Sequence, residues 1–155
     1  MLGKALAAAP RALAGLLIGL ITVLLAVAVF GRYSGFYSVI WAEEAARGMF
    51  IWMVLLGAAA AVDRGGHFRL DILEKVLPRP AGRFFSMFAQ LAMVALGLAL
   101  LVTGAQMMGN SAGQFTNALG LPQGAINAAI PAGGALFAWF GLRNAYRIAV
   151  GRDGT

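Results

Sequence analysis

The side chains with chemical potential gather in two places: the run Trp41-Ala42-Glu43-Glu44-Ala45-Ala46-Arg47, and the stretch from Asp63 to Asp71, which holds the single histidine, His67. Adjacent carboxylates can take up a proton, a cation or N–H donors. Arg47 stands four residues after Glu43 and three after Glu44, so on a helix the opposite charges can meet on one face. Acidic residues also suit a helix N-terminus, where the backbone dipole favours negative charge. Two readings compete. In one, the acids cap a helix and pair with Arg47. In the other, one carboxylate faces a partner helix or an ion path, because charges embedded in a membrane are usually functional. A position at the membrane boundary favours the first reading, and favours a partner contact over an ion site. Reversal of Arg47 to Glu is expected to disrupt assembly or insertion.

His67 does not support haem ligation, which commonly takes two axial ligands, and this chain has no second histidine. Local ion pairs with Asp63, Arg64, Arg69 and Asp71 are the default around it. The absence of cysteine removes disulfides, thiolate metal sites and thiol nucleophiles. There is no Walker loop, no zinc spacing, no Ser-His-Asp set, and no acidic residue between Glu74 and Asp153. A self-sufficient ion-coupled carrier would show a mid-membrane carboxylate or broken helices in matching halves. The expectation is no catalytic residue, no cofactor and no metal: not an enzyme, with the chemistry carried by a partner chain.

The elements that position these residues are set by hydropathy and charge. The chain is 61% hydrophobic and only 12% charged, where a soluble domain carries about 25% charge. The net charge of +6 is spread along the flanks of apolar runs. Membrane lipids and not nucleic acid are therefore the expected neighbours. Ala12–Gly31 is an uncharged run of 20 residues, longer than a signal-peptide core of roughly 7–15 and without a small-x-small cleavage site. It reads as a retained helix. Gly48–Val62 has only 15 uncharged residues, or ~22 Å of helix at 1.5 Å per residue. The second helix must therefore begin near Trp41, which places the acids in its first turns. Phe84–Leu142 is 59 residues without a charge, enough for two spans, and its polar middle from Gly109 to Gln123 is rich in turn-formers. The fold class expected is an all-α integral membrane protein in one membrane domain over residues 1–155. Its four transmembrane helices fall at about 12–32, 41–62, 84–108 and 124–143.

Gly65-Gly66 permits a bend after the second span, and Pro78 and Pro80 close off the segment beyond it. Within that segment Leu70, Ile72, Leu73, Val76 and Leu77 share one helical face, opposite Asp71, Glu74 and Lys75. A short interfacial amphipathic helix at about 70–77 is expected. With four spans, ten of the twelve basic residues lie on one side, leaving Arg32 and Arg47 on the other. The positive-inside rule then places both termini and the middle connection in the cytoplasm.

Small and uncharged polar residues give weaker signals. Gly15-x-x-x-Gly19 and Gly57-x-x-x-Ala61 fit close helix approach, as do Gly133, Gly134 and Gly141 near Pro131. Trp41, Trp52 and Trp139 read as interface anchors or packing residues. Gln90 is placed to bond between helices, whereas Gln106, Asn110, Gln114, Asn117 and Asn127 fall at the outer, solvated ends of spans three and four.

Taken together, Trp41-x-Glu43-Glu44-x-x-Arg47, the apolar stretch with Trp52 and Gly57, and Gly66-His67-Phe68-Arg69-Leu70-Asp71 resemble the small membrane subunit of TRAP transporters (tripartite ATP-independent periplasmic transporters, DctQ type). Leu121-Pro122-Gln123-Gly124 and Ile130-Pro131-Ala132-Gly133-Gly134 are similar to that family's entry into its last span, and the likeness reaches to about Tyr146. Phe68-Arg69-Leu70 depart from the smaller, more apolar residues expected there. The resemblance implies a multi-pass protein of the bacterial inner membrane. It also implies a large TRAP membrane subunit that moves substrate and sodium by an elevator motion, and a periplasmic solute-binding protein that delivers a carboxylate-bearing solute. In that setting the small subunit is a fixed brace. Trp41, Glu43, Glu44 and Arg47 would stabilise the second helix or its partner contact, and His67 with Asp71 would hold the cytoplasmic interfacial turn. Two other classes remain open. A small four-helix homodimeric exporter would need Glu43 or Glu44, and an oxidoreductase anchor subunit would need haem ligands.

Overall fold

The computed structural model describes residues 2–34, 40–64 and 79–150, with the side chains of residues 8–34, 40–62, 81–82 and 84–150. His67, Asp71 and the expected interfacial helix at about 70–77 lie outside the described residues.

The described chain is helical almost throughout. The long elements are α1 (Leu2–Tyr33), α2 (Ile40–Arg64), α3 (Arg79–Asn110) and α5 (Ala129–Ala149), with the short α4 (Gln123–Asn127) leading into α5. Four stretches are long and apolar enough to cross a membrane: Ala8–Tyr33, Ile40–Val62, Phe84–Asn110 and Gln123–Ala149. In a hydrocarbon environment a helix satisfies its own backbone N–H and C=O groups, which is why apolar runs of this length adopt it. The helices extend past the apolar runs because charge marks the membrane boundary and not the end of helical propensity. Lys4 and Arg11 stand within α1. Pro80 falls in the first turn of α3 and Pro131 in the first turn of α5, whereas Pro10 stands inside α1. Pro131 has no N–H to give to the carbonyl of Asn127, and α4 ends at that residue.

The helices stand side by side in the order α1, α2, α5, α3. Among the described residues α1 packs against α2 alone, α2 lies between α1 and α5, and α5 lies between α2 and α3. This is a row with two open edges and not a closed bundle. Sequence spacing accounts for the seams. In α1 the less exposed positions are Pro10, Ala14, Leu17, Ile21, Leu24, Ala28 and Gly31, alternating steps of four and three that keep one stripe against one neighbour. Among the described side chains the rest of α1, including Leu16, Val23, Val27 and Phe30, is exposed.

The tightest seam joins α3 to α5. A Cβ added to Gly97 would stand 2.5 Å from the Ala138 nitrogen, and one on Gly134 would stand 2.6 Å from the Leu101 nitrogen and 2.7 Å from the Gly97 oxygen. Gly104 meets Pro131 in the same way, at 2.6 Å from its Cδ. Lipid supplies no hydrophobic force between helices, so backbone-level packing of this kind is the main source of cohesion. The expectation for Gly133, Gly134 and Gly141 is met, since Gly133 abuts Leu55 and Gly141 abuts Val94. The expectation for Gly15 and Gly19 is not. Both look onto open space, and Gly57 makes only ordinary contact with Ala14, because α1 turns a different stripe toward its neighbour.

The small core sits where α2, α5 and α3 meet: Ala59, Val62, Phe137 and Phe140, with Leu55, Ala58, Leu100 and Leu136 against them. Asn144 is buried beside it and donates from Nδ2 to the Val62 carbonyl at 2.9 Å. Val62 is within the last turn of α2, where carbonyls lack intrahelical partners. Asn144 thus closes the end of one helix from another. Of Gln90, expected to bond between helices, the buried Oε1 has no hydrogen-bond partner among the described residues.

Candidate functional site

The C-terminus of α1, the N-terminus of α2 and the connection from α3 to α4 share one end of the row. α2 begins at Ile40, so Glu43, Glu44 and Arg47 all lie inside the helix. They do not form one local cluster. Glu43 pairs with the Arg32 guanidinium, the last basic residue of α1, in an exposed ion pair across the α1–α2 seam. Glu44 points the other way along the row, toward the α3–α4 connection. Arg47 is exposed and makes no ion pair among the described residues. The pairing of Arg47 with either acid, expected from spacing alone, is therefore replaced by two longer-range contacts. For Glu44, backbone amides already fixed by a turn are charge-assisted donors that require no ordering of a long arginine side chain.

The partner of Glu44 is built by the turn residues of the 111–122 segment. Gly113, at φ +88°, lets the chain leave α3. The Thr116 N–H then donates to the Leu121 carbonyl and the Gln123 N–H to the Gln114 carbonyl, both at 2.8 Å, with Phe115 opposite Pro122 in an antiparallel bridge. Between these arms the Gly120 N–H donates to the Thr116 carbonyl at 3.0 Å, and Gly120 adopts φ +63°. Thr116 to Gly120 is thus a single helical turn closed by a left-handed glycine.

The first N–H groups of a helical turn have no partner within it. Here Glu44 supplies one to each: Asn117 N–H donates to Oε1 at 3.0 Å, and Ala118 and Leu119 N–H donate to Oε2 at 2.8 and 2.9 Å. The Thr116 hydroxyl joins the same carboxylate and also accepts the Leu121 N–H at 3.0 Å. The arrangement is an anion seated on a helix N-terminus, except that the anion comes from another helix of the same chain.

Two further bonds fix this end. Trp52 Nε1 donates to the Ala125 carbonyl of α4 at 3.3 Å, and Asn127 Nδ2 donates to Ser111 Oγ at 2.7 Å. Asn127 is therefore a tether between the end of α3 and α4, not a solvated end. Trp41 is 47% exposed at the start of α2. Sequence reading missed Arg32 as the partner of Glu43, the three loop amides as the partner of Glu44, and Asn144 altogether. The one available signal was Thr116-Asn117-Ala118-Leu119-Gly120, a turn whose amides need an acceptor. Among the described residues no three acidic or histidine side chains converge to hold a metal ion.

Comparison with known proteins gives this arrangement its setting. A family model described as tripartite ATP-independent periplasmic transporters, DctQ component, matches residues 21–151. The sialic acid TRAP transporter small permease protein SiaQ of Vibrio cholerae is 27% identical over 70% of this chain and 63% of its own length. The C4-dicarboxylate TRAP transporter small permease protein DctQ of Rhodobacter capsulatus is 32% identical over 72% of this chain and 50% of its own. Its counterpart in Vibrio cholerae is 32% identical over 54% of this chain and 36% of its own. The chain thus spans between about a third and two thirds of the length of these curated relatives. A match over most of the sequence, on a four-span helical protein, settles the family: this chain belongs to the DctQ family, the small membrane component of tripartite ATP-independent periplasmic transporters, which is a transporter component and not an enzyme.

Proposed function

We propose that this chain is the fixed brace of its transporter. It lies in the inner membrane against a large, elevator-type membrane subunit during sodium-coupled uptake of a carboxylate-bearing solute delivered by a periplasmic binding protein. The observation that carries the reading is the open row of helices. An element that carried substrate by itself would need a pathway enclosed by its own helices. Here both edge helices present long apolar faces, with Leu16, Val23 and Phe30 on α1 and Phe88, Leu91 and Leu98 on α3 exposed. Such faces need lipid or a larger partner to cover them.

The state of the carboxylates supports the same reading. Glu43 is held by Arg32, and Glu44 is held by three backbone amides. Neither is free to load and release an ion, which counts against the homodimeric exporter. Trp41 and Arg47 are exposed at the same end and are the side chains we assign to contacts outside the chain. His67 and Asp71 are assigned to the cytoplasmic turn by the family resemblance. The relatives' names speak of C4-dicarboxylate and sialic acid, which supports an acidic solute. The excess of basic residues on the side of the termini supports cytoplasmic N- and C-termini, with the Glu44 end periplasmic.

Affinity purification of the tagged chain from native membranes in mild detergent tests the proposal. Co-elution of a large polytopic subunit is expected. A stable homodimer without that subunit would contradict it.

A further inference from the structure

Arg47 is the charged side chain at this end that the brace reading leaves without a partner among the described residues. It stands seven residues after Ile40, where α2 and its membrane-crossing stretch begin, and so ~10 Å along the helix axis. The stretch Ile40–Val62 has 23 residues, roughly 34 Å of helix against a hydrocarbon core of ~30 Å. With the stretch centred in the bilayer, that geometry carries the Arg47 backbone below the headgroup layer. An exposed guanidinium at that depth requires an anion or a strong acceptor. The nearest acids are not available: Glu43 is taken by Arg32, and Glu44 by the 117–119 amides.

We infer that Arg47 holds the phosphodiester of a phospholipid in the leaflet at the Glu44 end, with the acyl chains lying along α2. Three observations point to lipid over a protein carboxylate. First, helical Cα–Cβ bonds tilt toward the N-terminus, so from Arg47 the side chain reaches up toward that leaflet's phosphates and not down into the core. Second, the positions below it on the same stripe, Phe50 and Val54, are apolar and 53% and 44% exposed, followed by exposed Ala61. A cation above an apolar track matches a phosphate above its hydrocarbon chain. Third, Glu43 tops the stripe one turn above Arg47 and would compete for it, but Arg32 occupies that carboxylate. The α1–α2 ion pair therefore leaves Arg47 free for lipid.

This inference rests on the membrane-crossing geometry of α2 and not on the brace. The test is native mass spectrometry of the purified full chain in mild detergent, titrated with phosphatidylglycerol. Arg47→Gln is expected to lower the phospholipid-bound fraction about tenfold, the scale of one lost charge-assisted contact, and Arg47→Lys to retain part of it. Arg32→Gln frees Glu43 to pair with Arg47 four residues on, and should also lower retention. The double variant Arg32→Gln with Glu43→Gln should restore it. Equal retention by wild type and Arg47→Gln would overturn the proposal. So would a photo-crosslinking benzoylphenylalanine at Phe50 that labels protein and not lipid in the complex isolated from native membranes.

Discussion

The Glu44 carboxylate and the Ala118 amide, 74 residues apart in sequence, are joined by a 2.8 Å hydrogen bond. The Asn117 and Leu119 amides share the same acceptor. A charge at the start of α2 thus fixes the turn between α3 and α4. α3, from which that connection leaves, stands on the far side of α5 from α2, so the contact ties the two halves of the helix row together at one end.

Replacing Glu44 with Gln removes the charge and turns one acceptor oxygen into a donor group. Hydrogen exchange at Asn117, Ala118 and Leu119 should then quicken, while the amides of α5 keep their protection. Unchanged exchange at those three positions would show that Glu44 does not hold the turn.

At the α3–α5 seam, Gly134→Val places carbon within 2.7 Å of backbone atoms that cannot step aside. The helices must part, at a cost of about 1–3 kcal/mol. Thermal unfolding in detergent should show a clear drop. Gly15→Ala and Gly19→Ala, which meet open space, should leave the transition where it is.

Asn144→Leu keeps the bulk and removes the donor to the Val62 carbonyl. Interhelical hydrogen bonds in membranes are worth about 0.6 kcal/mol on average and at most ~1.7. A loss in that range is expected in a reversible unfolding assay, together with faster exchange at the end of α2.

The order of the row can be read by cross-linking, because the sequence has no native cysteine to interfere. A Cβ on Gly57 would lie 3.8 Å from the Ala14 Cβ, close to the spacing of a disulfide. The pair Ala14→Cys with Gly57→Cys should oxidise readily in membranes. A pair linking α1 to α3, such as Leu24→Cys with Val94→Cys, should not.

Much of this architecture is legible in the sequence. Charge-free runs mark the four spanning helices because hydrocarbon excludes charge, and the glycine-rich, polar stretch after Met108 marks the reversal between α3 and α5. The sequence does not reveal which helix meets which. Gly15 and Gly19 have the spacing of a packing motif but face away from α2, while Gly97 and Gly104, spaced by seven, form the real seam. Likewise the local spacing of Glu43, Glu44 and Arg47 suggests one ion cluster. The fold sends the three side chains to three different neighbourhoods, because the partners of the two acids come from elements 11 to 75 residues away.

The central claim is that this chain supports transport without performing it, and reconstitution tests that most directly. Proteoliposomes containing the purified chain alone should show no flux of the acidic solute under a sodium gradient. Addition of the large membrane subunit and the periplasmic binding protein should produce uptake. Solute or proton flux through the chain by itself would contradict the account.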